Sequence, residues 1–172
     1  MKKILICTTI LSTLCNHNLH AEDFFDMSIE ELMNIEITTA SKQEESAFKS
    51  AAATYVITAE DIRRSGATSI PDALRMAPGV EVARVDNNEW AVAIRGFNDR
   101  YSDKLLVLVD GRSAYVPSFS GVYWDTIDHI LHDIDRIEVI RGSGGAVWGA
   151  NAVNGVINII TKKAEDLSLI HI

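Results

Sequence analysis

The sequence predicts an α+β fold, a small mixed β-sheet with short helices, and three observations carry that expectation. Short β-branched or wholly apolar runs recur along the chain, helix caps stand between some of them, and turn residues bound most of them. The 172 residues are 47% hydrophobic, 23% charged and 7% aromatic, with 10 Gly and 3 Pro. That is an ordinary globular composition, which excludes collagen-like, low-complexity and wholly disordered chains. A formal net charge of −8 argues against a nucleic-acid partner, which calls for a basic footprint. Beyond the N-terminus no apolar run is long enough for a membrane-spanning helix.

Residues 1–21 read as a secretory signal peptide: a basic start at Lys2-Lys3, an apolar stretch from Ile4 to Leu14, and a polar exit ending at Ala21. Both cysteines, Cys7 and Cys15, lie inside it. The remainder therefore has no thiol for a disulfide, a cysteine nucleophile or a Cys-ligated metal. An exported, cysteine-free acidic chain suits a bacterial periplasm or outer membrane.

Residues 22–52 read as an N-terminal extension. Ser28 and Glu31 form a capping box, with Met27 and Leu32 as a staple, for a short helix over about residues 29–33. The alternating, β-branched stretch Ile35-Glu36-Ile37-Thr38-Thr39-Ala40 predicts an extended strand, and the polar residues 41–52 a linker.

The main domain is expected over 53–163. Residues 54–58 predict a strand, and Thr58 with Asp61 caps a helix, stapled by Ile57 and Ile62 and stopped at Gly66. Ser69 caps a second helix, with Pro71 in its first turn, that ends at Ala77-Pro78-Gly79. Val80 and Val82, then Trp90, Val92 and Ile94, predict a hairpin with one apolar face around the turn Asp86-Asn87-Asn88. The unbroken run Leu105–Val109 suits a strand buried on both faces. Ile127, Ile130, Leu131 and Ile134 sit at helical spacing. A strand over 136–140, a glycine-rich stretch over 142–155 and a closing strand over 156–161 complete the domain. The predicted core comprises Leu105, Leu106, Val107, Leu108, Ile137, Val139, Ile157 and Ile159.

Five ordered segments resemble the plug domains of TonB-dependent outer-membrane receptors. They are residues 56–62 (VITAEDI), Leu74 with Pro78-Gly79-Val80, Ile94-Arg95-Gly96-Phe97, residues 106–111 (LVLVDG), and the closing stretch from Arg136 to Thr161. The resemblance covers about residues 35–163. Ser143 departs from it, since the family usually has Pro after Arg-Gly.

The resemblance implies a plug that fills the lumen of a roughly 22-stranded barrel. Such a plug binds a metal chelate such as a ferric siderophore or cobalamin, and the inner-membrane TonB complex opens it by pulling on an N-terminal segment. It implies transport, not enzyme chemistry, and no cofactor. On this basis Ile35, Glu36, Ile37, Thr38, Thr39 and Ala40 form the expected TonB-contacting segment, an exposed strand able to join a partner's sheet edge. Arg95, Arg136 and Arg141 are expected to face acidic groups on the barrel wall, a pairing suited to guanidinium geometry. A solvated strand end, or an internal pair with Glu138, is the other reading of these arginines. Two loops are candidates for the substrate face: Asp86, Asn87 and Asn88 with Trp90, and the stretch 112–124 with Ser113, Tyr115 and Phe119.

Other signals fail. Residues 142–145 (GSGG) lack the glycine at position 147 that a dinucleotide fingerprint needs, and no Gly-Lys-Ser/Thr follows. His129 and His132, near Asp125, Asp128 and Asp133, read as a polar face more readily than as a metal site. Residues 164–172 do not resemble the family's continuation, so the chain is expected to be a fragment or a truncation without its barrel. The rival reading is a free-standing periplasmic α+β module that binds a ligand or partner without a barrel.

Overall fold

The computed structural model describes residues 36–42, 45–46, 52–127 and 129–164. The expected signal peptide, the helix over 29–33, Ile35 and residues 165–172 lie outside the described residues. Eleven strands are found among those described: β1 Glu36–Ile37, β2 Glu45–Ser46, β3 Ala53–Thr58, β4 Val80–Arg84, β5 Trp90–Ile94, β6 Leu105–Val109, β7 Arg112–Ser113, β8 Tyr115–Val116, β9 Gly121–Val122, β10 Ile134–Arg141 and β11 Gly155–Thr161. Three short helices accompany them: α1 Ala59–Ser65, α2 Ile70–Leu74 and α3 Gly145–Trp148.

The main sheet has the order β3-β10-β11-β6-β7. It is mixed: β10 runs antiparallel to both β3 and β11, whereas β11 and β6 are parallel. The small mixed sheet with short helices is the fold class the sequence predicts. Apolar residues on both faces explain why β6, β10 and β11 occupy its inner positions, since such strands need covering on either side.

One face carries Leu105, Val107, Ile137, Val139, Ile157 and Ile159 against Ile62 of α1, Ile70, Ala73 and Leu74 of α2, and Val92 and Ile94 of β5. The opposite face carries Leu106, Leu108, Ile140 and Val156 beneath Ala40, Ala52 and Trp148. Every member of the predicted core is buried. At the start of β11, Gly155 runs so close to β10 that an added Cβ would stand 2.6 Å from the Ile140 carbonyl oxygen, so no larger residue fits there without a shift.

Caps form as the sequence predicts. The Thr58 side chain accepts from the Asp61 N–H, the Asp61 carboxylate accepts from the Thr58 N–H at 2.9 Å, and α1 ends on left-handed Gly66. Ser69 caps α2 by accepting from the Asp72 N–H.

Four expectations need correction. The second helix stops at Leu74, and Met76 and Ala77 donate to carbonyls three residues back, a tightened last turn. The helical spacing over 127–134 gives no α-helix. It gives 3₁₀ turns at Trp124–Thr126 and Leu131–Asp133, because four apolar residues span less than two turns and Ile134 is taken into β10 opposite Thr161. β4 and β5 pair as a hairpin, but Ala91 through Ile94 are all buried, so β5 is covered on both faces. Within the expected linker, Glu45–Ser46 forms β2 and pairs with β1.

Among the described residues no helix is long and apolar enough to cross a membrane, which says nothing of a β-barrel.

Ile157 is fully buried in the face that packs on the helices. Replacing it with Ala is expected to lower unfolding stability by about 2–5 kcal/mol, measured as a drop in the urea midpoint with an unchanged slope.

Candidate functional site

Three groups of side chains concentrate polar and aromatic chemistry around this sheet. The first joins the two loops singled out in the sequence. Asp86, Asn87 and Asn88 form the exposed β4–β5 turn, in which the Asp86 carboxylate accepts from the Asn87 N–H at 2.7 Å. Trp90 lies half-buried between the guanidinium groups of Arg75 and Arg84, 5.7 and 5.2 Å from its ring centre. Next to it Glu89 pairs with Arg100, and Arg100 lies 5.1 Å from the ring centre of Tyr101.

Tyr101 then packs with Phe119 and Tyr123 at centroid separations of 6.0 and 5.3 Å, while Phe119 and Tyr123 meet edge-on at 5.1 Å. Phe119 keeps 53% of its surface exposed. Glu89, Trp90, Arg100, Tyr101, Tyr123 and Trp124 line one crevice. The turn and the 112–124 loop therefore meet through Arg100 and Tyr101, two residues the sequence reading missed. The only signal for them was an Arg-Tyr step in the polar connection before β6. Ser113 does not join this cluster. It is exposed on β7 and lines a separate cleft with Leu106, Leu108 and Trp148. Tyr115, half-buried in β8, pairs with Val122.

Tyr101 and Tyr123 hydroxyls are 3.3 Å apart. The hydrogen bond to Tyr101 pushes the Tyr123 phenol up to about 12, with burial adding to the effect.

The second group is an arginine pair. Arg95 and Phe97 both have left-handed backbones, with φ of 60° and 58°, and Phe97 is 72% exposed. The Arg95 guanidinium lies against Gly142 and donates to the Arg141 carbonyl at 3.4 Å. Arg141 lies against Gly79 and donates to the Pro78 carbonyl at 3.2 Å. Among the described residues neither has a carboxylate partner, and the buried Arg141 Nε has no hydrogen-bond partner.

Arg136 differs. It does not face outward as a free cation, because its Nε donates to Glu138 at 2.9 Å and an Nη to Asp135 at 2.7 Å. Burial works against the Arg136 charge, and the bonds to Asp135 and Glu138 outweigh it, holding its pKa above the usual value. The expected barrel contact is thus an internal ion pair.

The third group surrounds Glu138, which is fully buried on the face opposite the helices. Its carboxylate accepts from the Thr38 N–H at 3.1 Å, the Thr39 N–H at 2.9 Å and the Thr39 hydroxyl at 2.5 Å. The Thr39 Oγ1 accepts from Asn158 Nδ2 at 3.0 Å, and the Thr39 carbonyl accepts from Trp148 Nε1 at 2.7 Å. Lys42 lies 4.5 Å from the Trp148 ring centre. The segment expected to be an exposed strand is therefore docked. β1 covers only Glu36–Ile37, residues 38–42 turn, Ile37 and Thr39 are buried, and Ala40 packs on the lower core. The cause is Glu138, whose unmet acceptors draw both threonine amides to one point. No cluster of metal-ligating side chains occurs among the described residues. The His132 carbonyl accepts from Lys162 instead.

With this geometry in hand, comparison with known proteins is direct. A family model described as the TonB-dependent receptor plug domain matches residues 46–156. The vitamin B12 transporter BtuB of Vibrio vulnificus is 38% identical over 132 residues, 75% of this chain and 21% of that protein. Among solved structures, the alcaligin outer-membrane receptor FauA of Bordetella pertussis superposes with a TM-score of 0.60 at 24% identity, over 74% of this chain and 21% of that one. The ferric-catecholate import receptor Fiu of E. coli K12 gives 0.54 at 28% identity, over 73% and 17%. The small mixed sheet is thus a plug fold. The chain belongs to the TonB-dependent receptor plug domain family, whose members compared here are transporters and receptors, not enzymes. It spans about a fifth of the length of the curated relatives it matches.

If the Tyr101 hydroxyl holds up the Tyr123 pKa, Tyr101→Phe returns Tyr123 toward the ordinary phenol value near ~10. Ultraviolet titration of tyrosinate absorbance reads this directly: the last phenol to ionise should do so at lower pH in the variant than in the parent chain.

Proposed function

We propose that this plug provides gating and substrate binding in a TonB-dependent outer-membrane receptor that takes up a metal chelate, either cobalamin or a ferric siderophore. The observation that supports it best is the convergence of Tyr101, Phe119 and Tyr123 into one partly exposed aromatic cluster beside the crevice that Trp90 helps to line. Flat aromatic surfaces with a few placed hydroxyls suit the mixed apolar and polar surface of a bulky chelate. Cobalamin is the first cargo to test, since the curated relatives are named as vitamin B12 transporters.

In the same reading, Arg95 and Arg141, which have no carboxylate partner among the described residues, present two guanidinium groups to acidic residues on the inner wall of a barrel, where bidentate pairing would hold the plug. Arg136, taken up by Asp135 and Glu138, is left out of that role. Residues 35–40 remain the proposed contact for TonB; of these, Glu36–Ile37 pair with β2, and Thr38 and Thr39 are bonded to Glu138.

Titrating the chain with cyanocobalamin and, separately, with a ferric siderophore while following Trp and Tyr fluorescence tests the cargo reading. Saturable quenching by one of them is expected. The Tyr101→Ala, Phe119→Ala double variant should weaken it by about tenfold or more, the effect of losing two aromatic contacts. No saturation with either chelate, or unchanged affinity in the double variant, overturns this assignment of the substrate face.

A further inference from the structure

We propose that the cavity beside α1 is a binding site for a medium-chain fatty carboxylate, separate from the aromatic substrate face and from the docked segment. The cavity, of about 300 Å³, opens between α1, the 3₁₀ turn Leu131–Asp133 and the residue that follows β11. Its floor is Ala59 and Ile62 of α1, Ala67 beyond the end of that helix, and Leu131. Ile62 is buried in the larger core, and Ala67 and Leu131 pack half-buried against the same core. Because the segment 127–134 forms 3₁₀ turns and not the helix its spacing suggests, Leu131 stays half-buried at the cavity and Ile130 stands 69% exposed.

The floor side chains carry no hydrogen-bonding atom. Such a floor suits a plain hydrocarbon chain better than a peptide, whose amides would lie against it unpaired. A volume near 300 Å³ stands at the small end of ligand sites and suits a chain of about ten carbons.

The rim has the opposite chemistry. Arg63, His132 and Lys162 line it, against the single carboxylate of Glu60. Glu60 is shared by Arg63 and Arg64, so its charge is already outnumbered. The nearby Asp133 carboxylate pairs with His132, 3.9 Å away. Lys162 is held from two points: its N–H donates to the Asp133 carbonyl at 2.8 Å, and its Nζ to the His132 carbonyl at 2.6 Å. Both acceptors are neutral. Among the described residues no carboxylate pairs with Lys162, and its ammonium has two further donors to offer. In a chain of net charge −8, a cavity lined by more cations than anions is a local exception. An apolar floor beneath a fixed, unneutralised ammonium matches a ligand with a hydrocarbon tail and an anionic head.

Calorimetric titration of the full chain with hexanoate, octanoate and decanoate, each below its micelle concentration, tests the site. One saturable site is expected, tightening about threefold for each added methylene. Decyltrimethylammonium, with the same tail and the opposite charge, should bind at least about tenfold more weakly. Lys162→Met keeps the stem and loses the charge. It should weaken decanoate about tenfold and leave decanol unchanged. Ala67→Phe fills the floor and should abolish binding of both. If that variant does not fold, the decanoate and decanol comparison in K162M carries the test. Failure of decanoate to saturate, equal binding of the cationic amphiphile, or unchanged decanoate affinity in K162M overturns the proposal. Tighter binding of an apolar tripeptide with a free C-terminal carboxylate than of decanoate reassigns the cavity to a protein terminus and overturns it equally.

Discussion

A carboxylate in the middle of a sheet must be matched by donors, or it destabilises the strand that carries it. Glu138 lies on β10 between Val56 of β3 and Asn158 of β11, and it is fully buried. Its own strand supplies one partner, Arg136, two residues away on the same face. The remaining acceptor capacity is met from outside the sheet, by Thr38 and Thr39. The arrangement of the second face follows from that requirement. Thr39 brings Ala40 onto the lower core, its carbonyl orients Trp148, and Trp148 with Ala152 closes the cover over Val156. An apolar residue at 138 would pack the same face without needing the N-terminal segment at all. The segment is held because the strand beneath it is charged.

Most of the sheet was legible in the sequence because its strands are unbroken apolar or β-branched runs with clear turns. Leu105–Val109 and the strand over 136–140 are plain once bounded by Asp110-Gly111 and Gly142, although β10 begins two residues earlier, at Ile134. The capped helices were equally plain, since Thr58 with Asp61 and Ser69 with Asp72 are local chemistry. What escaped was set by contacts across long stretches of chain. The alternation over 35–40 reads as an exposed strand, and nothing within six residues reveals a carboxylate a hundred positions later that turns it inward. Tyr101 escaped for the same reason: it acquires meaning only when Phe119 and Tyr123 fold back onto it.

The three arginines singled out at the outset show how much a side chain's role depends on its surroundings. Arg95 follows β5, Arg136 lies within β10 and Arg141 ends it, and all carry the same charge. Arg136 has two carboxylates within reach and is consumed by them. Among the described residues, Arg95 and Arg141 bond to backbone carbonyls, at 3.4 and 3.2 Å, and lie across glycines whose missing side chains make room for them. Backbone carbonyls satisfy some guanidinium donors without neutralising the charge, and the Arg141 Nε stays unpaired. Two cations held this way keep their capacity for a carboxylate, which Arg136 has already spent.

The two faces of β10 tie these features together. Ile137 and Val139 pack toward the helices and the β4–β5 hairpin, while Glu138 and Ile140 pack toward the docked segment, and Arg141 ends the strand beside Arg95. Withdrawing residues 37–42 would uncover the second face and strip Glu138 of three of its donors. The first face would keep its cover of α1, α2 and β5. The exposed carboxylate would then be left to Arg136 and water on a strand hydrogen-bonded along both edges to β3 and β11. Departure of the segment is therefore opposed by the two-residue β1–β2 ladder, the Thr38 and Thr39 bonds and the burial of Ile37, and the five-stranded sheet is held by the longer ladders of β3, β10 and β11. Because those ladders are longer and backed by the larger core, the segment can leave while the five-stranded sheet stays intact. The docked segment is consequently the weaker of the two layers.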